Sequence, residues 1–147
     1  NVYLSGLVFL LAIPVAPYLH EGAHWIAGWF GSGSPRFKCA FRIIPNSVYL
    51  RNLEFMEPTY IRIAGGAPFI WLPAMLSAIS YLLLSGWSLA SFFASTVFFY
   101  AFLMCSEADW LAVRDPEKFR TQALNGELSR TPLFIPNWLI PTWLPLF

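Results

Sequence analysis

The chain has 147 residues, 57% of them apolar and only 12% charged, with a formal net charge of +1. Soluble domains carry roughly a quarter charged residues, so this composition excludes an ordinary water-soluble domain, and the near-neutral balance gives no basis for nucleic-acid binding. Cys39 and Cys105 are too few for a disulfide framework and match no zinc-knuckle spacing.

Charges are absent from Asn1 to His20 and again from Ile63 to Ser106. A membrane crossing takes about 20 mostly apolar residues. The expected fold is therefore an α-helical integral membrane protein with about three transmembrane helices. The first span is expected over Val2–Phe30, with a kink or short break at Pro14 and Pro17. No cleavable leader is expected in this opening, because its removal would destroy the His20–His24 segment that follows. Gly31 to Pro35 ends the helix. Residues 36–53 mix basic, aromatic and β-branched residues around the turn signal Pro45-Asn46-Ser47, which reads as a short β-hairpin at the membrane surface. Such a hairpin can touch anionic headgroups or offer an edge strand to an extended peptide.

The second span is expected from Tyr60 to Leu84, with Arg62 snorkelling to the interface. Ala64-Gly65-Gly66-Ala67-Pro68 at its start is poor helix and good close-packing surface. Ser85-Gly86 makes a tight turn into a third span, Trp87 to about Val113, which closes on Ser106-Glu107-Ala108-Asp109-Trp110. Two carboxylates at a membrane boundary are costly and point to function. These elements make residues 1–113 a membrane-embedded core and 114–147 a Pro- and aromatic-rich tail. Pro132, Pro136, Pro141 and Pro145 exclude a regular spanning helix there. The tail is expected along the interface, anchored by Trp138 and Trp143, with a plug over the site as the alternative. The basic loops fall between spans one and two and after span three. The positive-inside rule then puts the hairpin and tail in the cytoplasm and Asn1 outside.

The most informative segment is His20-Glu21-Gly22-Ala23-His24, an H-E-x-x-H that contains both histidines of the chain. Positions four apart share a helix face, so both imidazoles can reach one metal ion. Glu21 stands where a metalloprotease keeps its general base. The expected topology brings this segment, Gly65-Gly66 and Asp109 to one depth. A catalytic zinc takes three protein ligands and keeps one position open. His20 and His24 supply two, and Asp109 or Glu107 the third; these two carboxylates lie about 200° apart around a helix, so only one can face the histidines.

HEGAH in a first core span, a strand-like Pro35-Arg36-Phe37-Lys38, the Ala64–Pro68 span start and Ser106-Glu107-Ala108-Asp109 together resemble the site-2 protease superfamily of intramembrane zinc metalloproteases, and within it the small zincin peptidase branch. The similarity runs from His20 to Asp109. It implies zinc ligands His20, His24 and Asp109, with Glu21 as catalytic base. Asp109 is followed here by Trp110, where many members have glycine, and Phe69-Ile70-Trp71-Leu72 lacks the asparagine many members carry after the Gly/Pro segment.

The expected reaction is hydrolysis of a peptide bond in or near a membrane-spanning segment of a substrate protein, with one zinc ion as cofactor. A substrate helix must unwind to expose its carbonyls. Phe37 and Lys38 of the hairpin and the backbone at Gly65 and Gly66 are candidates to receive the extended stretch. The competing reading is a catalytically degenerate, metal-binding membrane scaffold that acts by interaction. The expected setting is a prokaryotic cell membrane, with the active site nearer the cytoplasmic side. Three spans make a thin bundle, so self-association or an accessory membrane protein is an open expectation.

Overall fold

The computed structural model describes residues 2–40 and 42–135. The protein is mostly helical, with one β-hairpin after the first helix. Helix α1 (Val2–Phe30) runs continuously through Pro14 and Pro17, without the break expected there. Val8, Ala12, Ala16 and His20 recur at intervals of four and are all buried. Small residues on that stripe let α1 lie close against α4 (Leu89–Leu103), which offers the buried Val97 and Ala101 in return. His20 is thus the next member of a packing stripe, and its imidazole is carried into the interior by the helix period.

After α1 the chain reverses through Ser32 and Ser34, both at positive φ, and forms β1 (Pro35–Ala40) and β2 (Ile44–Leu50). The strands pair antiparallel from Pro35 opposite Leu50 to Ala40 opposite Ile44, with a bulge after Lys38 that leaves Asn46 without a partner. The hairpin does not project away from the helix. It doubles back along α1: Phe37 stacks on Trp25 with ring centroids 5.8 Å apart, and the Tyr18 hydroxyl donates to the Ile43 carbonyl at 3.0 Å. The strands therefore flank the HEGAH segment.

The next helical stretch, Pro58–Ser85, is continuous but changes pitch. It comprises α2 (Pro58–Gly66), a 3-10 turn over Ala67–Ile70 and α3 (Trp71–Ser85). This stretch and Tyr3–Phe30 are each 28 residues and apolar enough to cross a membrane. Helix α3 buries none of its residues, and Leu83 and Leu84 are 78% and 87% exposed. This much bare apolar surface suits a helix covered by lipid or by a protein partner.

Gly86, at φ 86°, turns the chain into α4, which runs back along α3 with Trp71 stacked on Phe98. The expected third span is not one helix. α4 has 15 residues, about 22 Å at 1.5 Å per residue and short of a bilayer core of about 30 Å. The chain is extended at Ser106 and restarts as α5 (Glu107–Arg114), followed by α6 (Pro116–Asn125). The cause is local. Ser106 is an N-cap whose hydroxyl receives the Asp109 N–H, while the Asp109 carboxylate receives the Ser106 N–H, a reciprocal box that starts a helix. Asp115, whose carboxylate accepts from the Lys118 N–H, and Pro116 at the first helical position start α6, and Gly126 in the left-handed region ends it.

α5 and α6 continue beside α2 toward its start, and a small core of Leu53, Met56, Ile61 and Ala112 forms there, with Phe119 and Ala123 of α6 packed against it. The chain then returns: Leu133 N–H donates to the Cys105 carbonyl at 2.9 Å and Glu107 N–H to the Thr131 carbonyl at 2.8 Å. This strap satisfies backbone groups that the break between α4 and α5 sets free. Trp138 and Trp143, expected as interfacial anchors, lie outside the described residues, as does the tail beyond residue 135.

Gly65 is where α2 meets α5. A Cβ at that position would overlap the Ala112 Cβ and lie 3.3 Å from the Asp109 carbonyl oxygen. Gly65→Ala is expected to lower stability by about 1–3 kcal/mol through overpacking. Adding Ala112→Gly should restore most of the loss, read as thermal unfolding of the detergent-purified protein.

Candidate metal centre

α1 presents His20 and His24 one turn apart, with ring centroids 5.0 Å from each other. Their Nδ1 atoms meet backbone carbonyls, His20 on Ala101 of α4 at 2.9 Å and His24 on Ala64 of α2 at 2.7 Å. A carbonyl can only accept, so each Nδ1 carries the proton and donates it. Each neutral ring then has its lone pair at Nε2.

Those lone pairs face Asp109. The His24 Nε2 is 3.1 Å from Asp109 Oδ1 and the His20 Nε2 is 3.7 Å from Oδ2. His20 and Asp109 are 3% and 8% exposed. Oδ2 is already committed, since it accepts from the Ser106 N–H at 2.7 Å and the Ser106 hydroxyl at 2.9 Å. Three electron-pair donors therefore converge in a buried space, with one candidate ligand atom from each residue and all three within 4.8 Å of one another. Acceptors packed this way are satisfied by a metal ion between them or by a proton shared between His24 and Asp109. For ligands at about 2.0–2.1 Å from a tetrahedral ion, mutual separations come to about 3.3 Å, which the observed spacings bracket. The group can hold a metal ion, and its second shell is built: both imidazoles and the carboxylate are oriented by hydrogen bonds from behind.

Glu21 sits one position past His20, about 100° further round the helix, and is 6% exposed. Its carboxylate faces the Val48 backbone of β2 and lies within electrostatic reach of His24, Asp109 and Arg130. A Cβ built at Gly22 would meet no atom within 4 Å, so the flank of the motif beside Glu21 is open.

The other sequence candidates fall elsewhere. Glu107 is exposed and accepts from the Ser129 hydroxyl at 2.6 Å, on the outer side of α5. It lines an open cavity of about 410 Å³ with Trp110, Arg114 and Lys118, apart from the two histidines and Asp109. Gly65 and Gly66 face Ala112 and Val113 of α5 and act in helix packing. Phe37 is held on Trp25, and Lys38, opposite Ser47 in the hairpin, points to the exterior. Cys105 is fully buried next to the break. Two elements escaped the sequence reading. Ser106-x-x-Asp109 is a capping-box signature and Asp115-Pro116 a helix start, so both α5 and α6 had legible signals. The strap over Thr131–Leu133 had none.

Comparisons with protein-family profiles, curated proteins and solved structures found no match to this chain.

Removing Ser106 Oγ should loosen Asp109. Ser106→Ala is expected to weaken metal binding about tenfold or more, in the range for a lost outer-shell partner, while His20→Ala/His24→Ala abolishes it. Equilibrium dialysis against zinc, with bound metal counted per chain, distinguishes the two.

Proposed function

We propose that the protein is a membrane-embedded zinc metalloendopeptidase that cleaves a substrate protein in or near its membrane-spanning segment. The observation that carries the reading is the convergence of two Nε2 lone pairs and one carboxylate beside Glu21, with both Nδ1 protons already used. His20, His24 and Asp109 would hold the ion. When bound, zinc would lower the pKa of a water toward about 7 and polarise the scissile carbonyl.

Glu21 then performs the proton chemistry. Its carboxylate takes a proton from the attacking water and passes it to the leaving amine. Burial of His20 and Asp109 keeps the donor set rigid. β2 supplies a strand next to Glu21, where buried Asn46 Oδ1 and Ser47 Oγ have no partner among the described residues. An extended peptide that pairs with the hairpin edge would pass these groups.

The membrane setting is part of the same proposal. α1 and the Pro58–Ser85 stretch supply two crossings, and their bare leucines and aromatics suit lipid. α4, the extended break and α5 make a third, discontinuous crossing. Non-helical backbone at that depth is tolerated only inside protein or along a cavity, and the strap meets that requirement here. The basic residues of the hairpin and of α6 support a site nearer the cytoplasmic side, and the proposed setting is a prokaryotic cell membrane.

Glu21→Gln keeps the shape and removes the base. It is expected to retain one zinc per chain and lose proteolysis by a factor of about 100 or more, as general-base removal does. Cleavage would be followed by mass spectrometry of membrane proteins co-expressed with each variant. Full proteolysis in Glu21→Gln would sink the assignment, whereas zinc binding with no cleavage by either form would leave the metal-binding scaffold.

A further inference from the structure

The Ala64 carbonyl that receives the His24 proton is an unusual acceptor. In a regular α-helix each carbonyl is taken by the N–H four residues on. Four residues beyond Ala64 stands Pro68, which has no N–H. The Ala64 oxygen therefore lacks its regular four-residue helix bond, in a buried setting: Ala64 is 4% exposed and Pro68 is among the fully buried side chains. A buried carbonyl that loses a donor is destabilising unless another donor replaces it. His24 Nδ1–H, at 2.7 Å, fills that vacancy.

The second histidine is held by the same logic through a different irregularity. Four residues beyond Ala101 stands Cys105, and its N–H donates to Phe102 instead, because α4 ends there. The Ala101 oxygen is one of the carbonyls a helix C-terminus leaves free, and His20 takes it. Two helix imperfections on two different elements thus each offer one spare acceptor to one imidazole.

We propose that Pro68 is a positioning residue of the metal centre: by withholding an N–H it reserves the Ala64 carbonyl for His24, and so fixes the imidazole with its Nε2 lone pair toward Asp109. The inference rests on reading His20, His24 and Asp109 as metal ligands, and adds the residue that sets the orientation of one of them. A proline at this place need not serve packing alone, since alanine there would supply the missing helix bond.

Pro68→Ala and Pro68→Gly both restore an N–H while differing from each other in helix propensity, and the His24 ring-nitrogen signals separate the restored N–H from the loss of the buried ring. Pro73→Ala, on the exposed side of α3, removes a proline from the same helical stretch away from the centre. Because the chain has two histidines, ¹⁵N labelling of histidine gives four ring-nitrogen signals, which report each tautomer in the metal-free protein. Cobalt affinity is measured in parallel from the d–d absorption.

Both Pro68 variants are expected to bind cobalt about tenfold more weakly, as for a lost second-shell bond. They should also shift the His24 signals toward mixed tautomers, leaving His20 and Pro73→Ala unchanged. Cobalt affinity within twofold of wild type, or weaker binding with unaltered His24 signals, overturns the role of Pro68. No cobalt binding by the wild type overturns the metal-centre reading instead, and the nitrogen signals then decide the Pro68 inference alone.

Discussion

The Asp109 carboxylate has two obligations, and the rest of the site follows from how it meets both. Oδ2 accepts from the Ser106 N–H and hydroxyl, which starts α5. Oδ1 is left to face His24. The bond that begins a helix therefore also aims a candidate ligand. A carboxylate so fixed loses little rotamer freedom when an ion arrives, which is the physical content of a preorganised site. The extended backbone before it has to be sealed, and the close seat of Gly65 on Ala112 sets how far α5 stands from α2. Helix start, helix contact and ligand geometry are one constraint.

α1 illustrates how packing and chemistry share a period. Its buried face runs through Val8, Ala12 and Ala16 to His20, so the residues that bring α4 near are the ones that put an imidazole at the end of α4. Glu21, one residue on, turns out of that contact toward the hairpin. Two adjacent residues are thereby sent to two different neighbours, one to the end of α4 and one to β2. The hairpin is kept against this face by Tyr18 at its turn and Trp25 near its base.

Much of this was legible in the residues. Apolar length marked α1 and the Pro58–Ser85 stretch, the turn signal marked the hairpin, and the spacing of His20 and His24 marked the shared face. The choice between Asp109 and Glu107 was not legible, since the two differ only in rotation about a helix whose start was misplaced. Counting apolar residues from Trp87 to Val113 gives one span, because hydropathy does not register a cap. The hairpin's direction also escaped, as it depends on positive φ at Ser32 and Ser34 and on a side-chain stack. The close-packing character of Gly65 and Gly66 was legible, but not that α5 is the element packed against them. What sequence could not supply in each case was a partner distant along the chain.

The strap that seals the broken helix carries a consequence for biosynthesis. Synthesis runs from N- to C-terminus, so His20 and His24 are made first and Asp109 much later. Thr131 and Leu133 come after every described helix. Until they emerge, the carbonyl of Cys105 and the N–H of Glu107 have no protein partner, and the turn that orients Asp109 is held by Ser106 alone. His20, Glu21 and His24 are thus made well before the strap that closes the break beside Asp109. The arrangement that brings the three candidate ligands together is complete only once Thr131 and Leu133 have emerged.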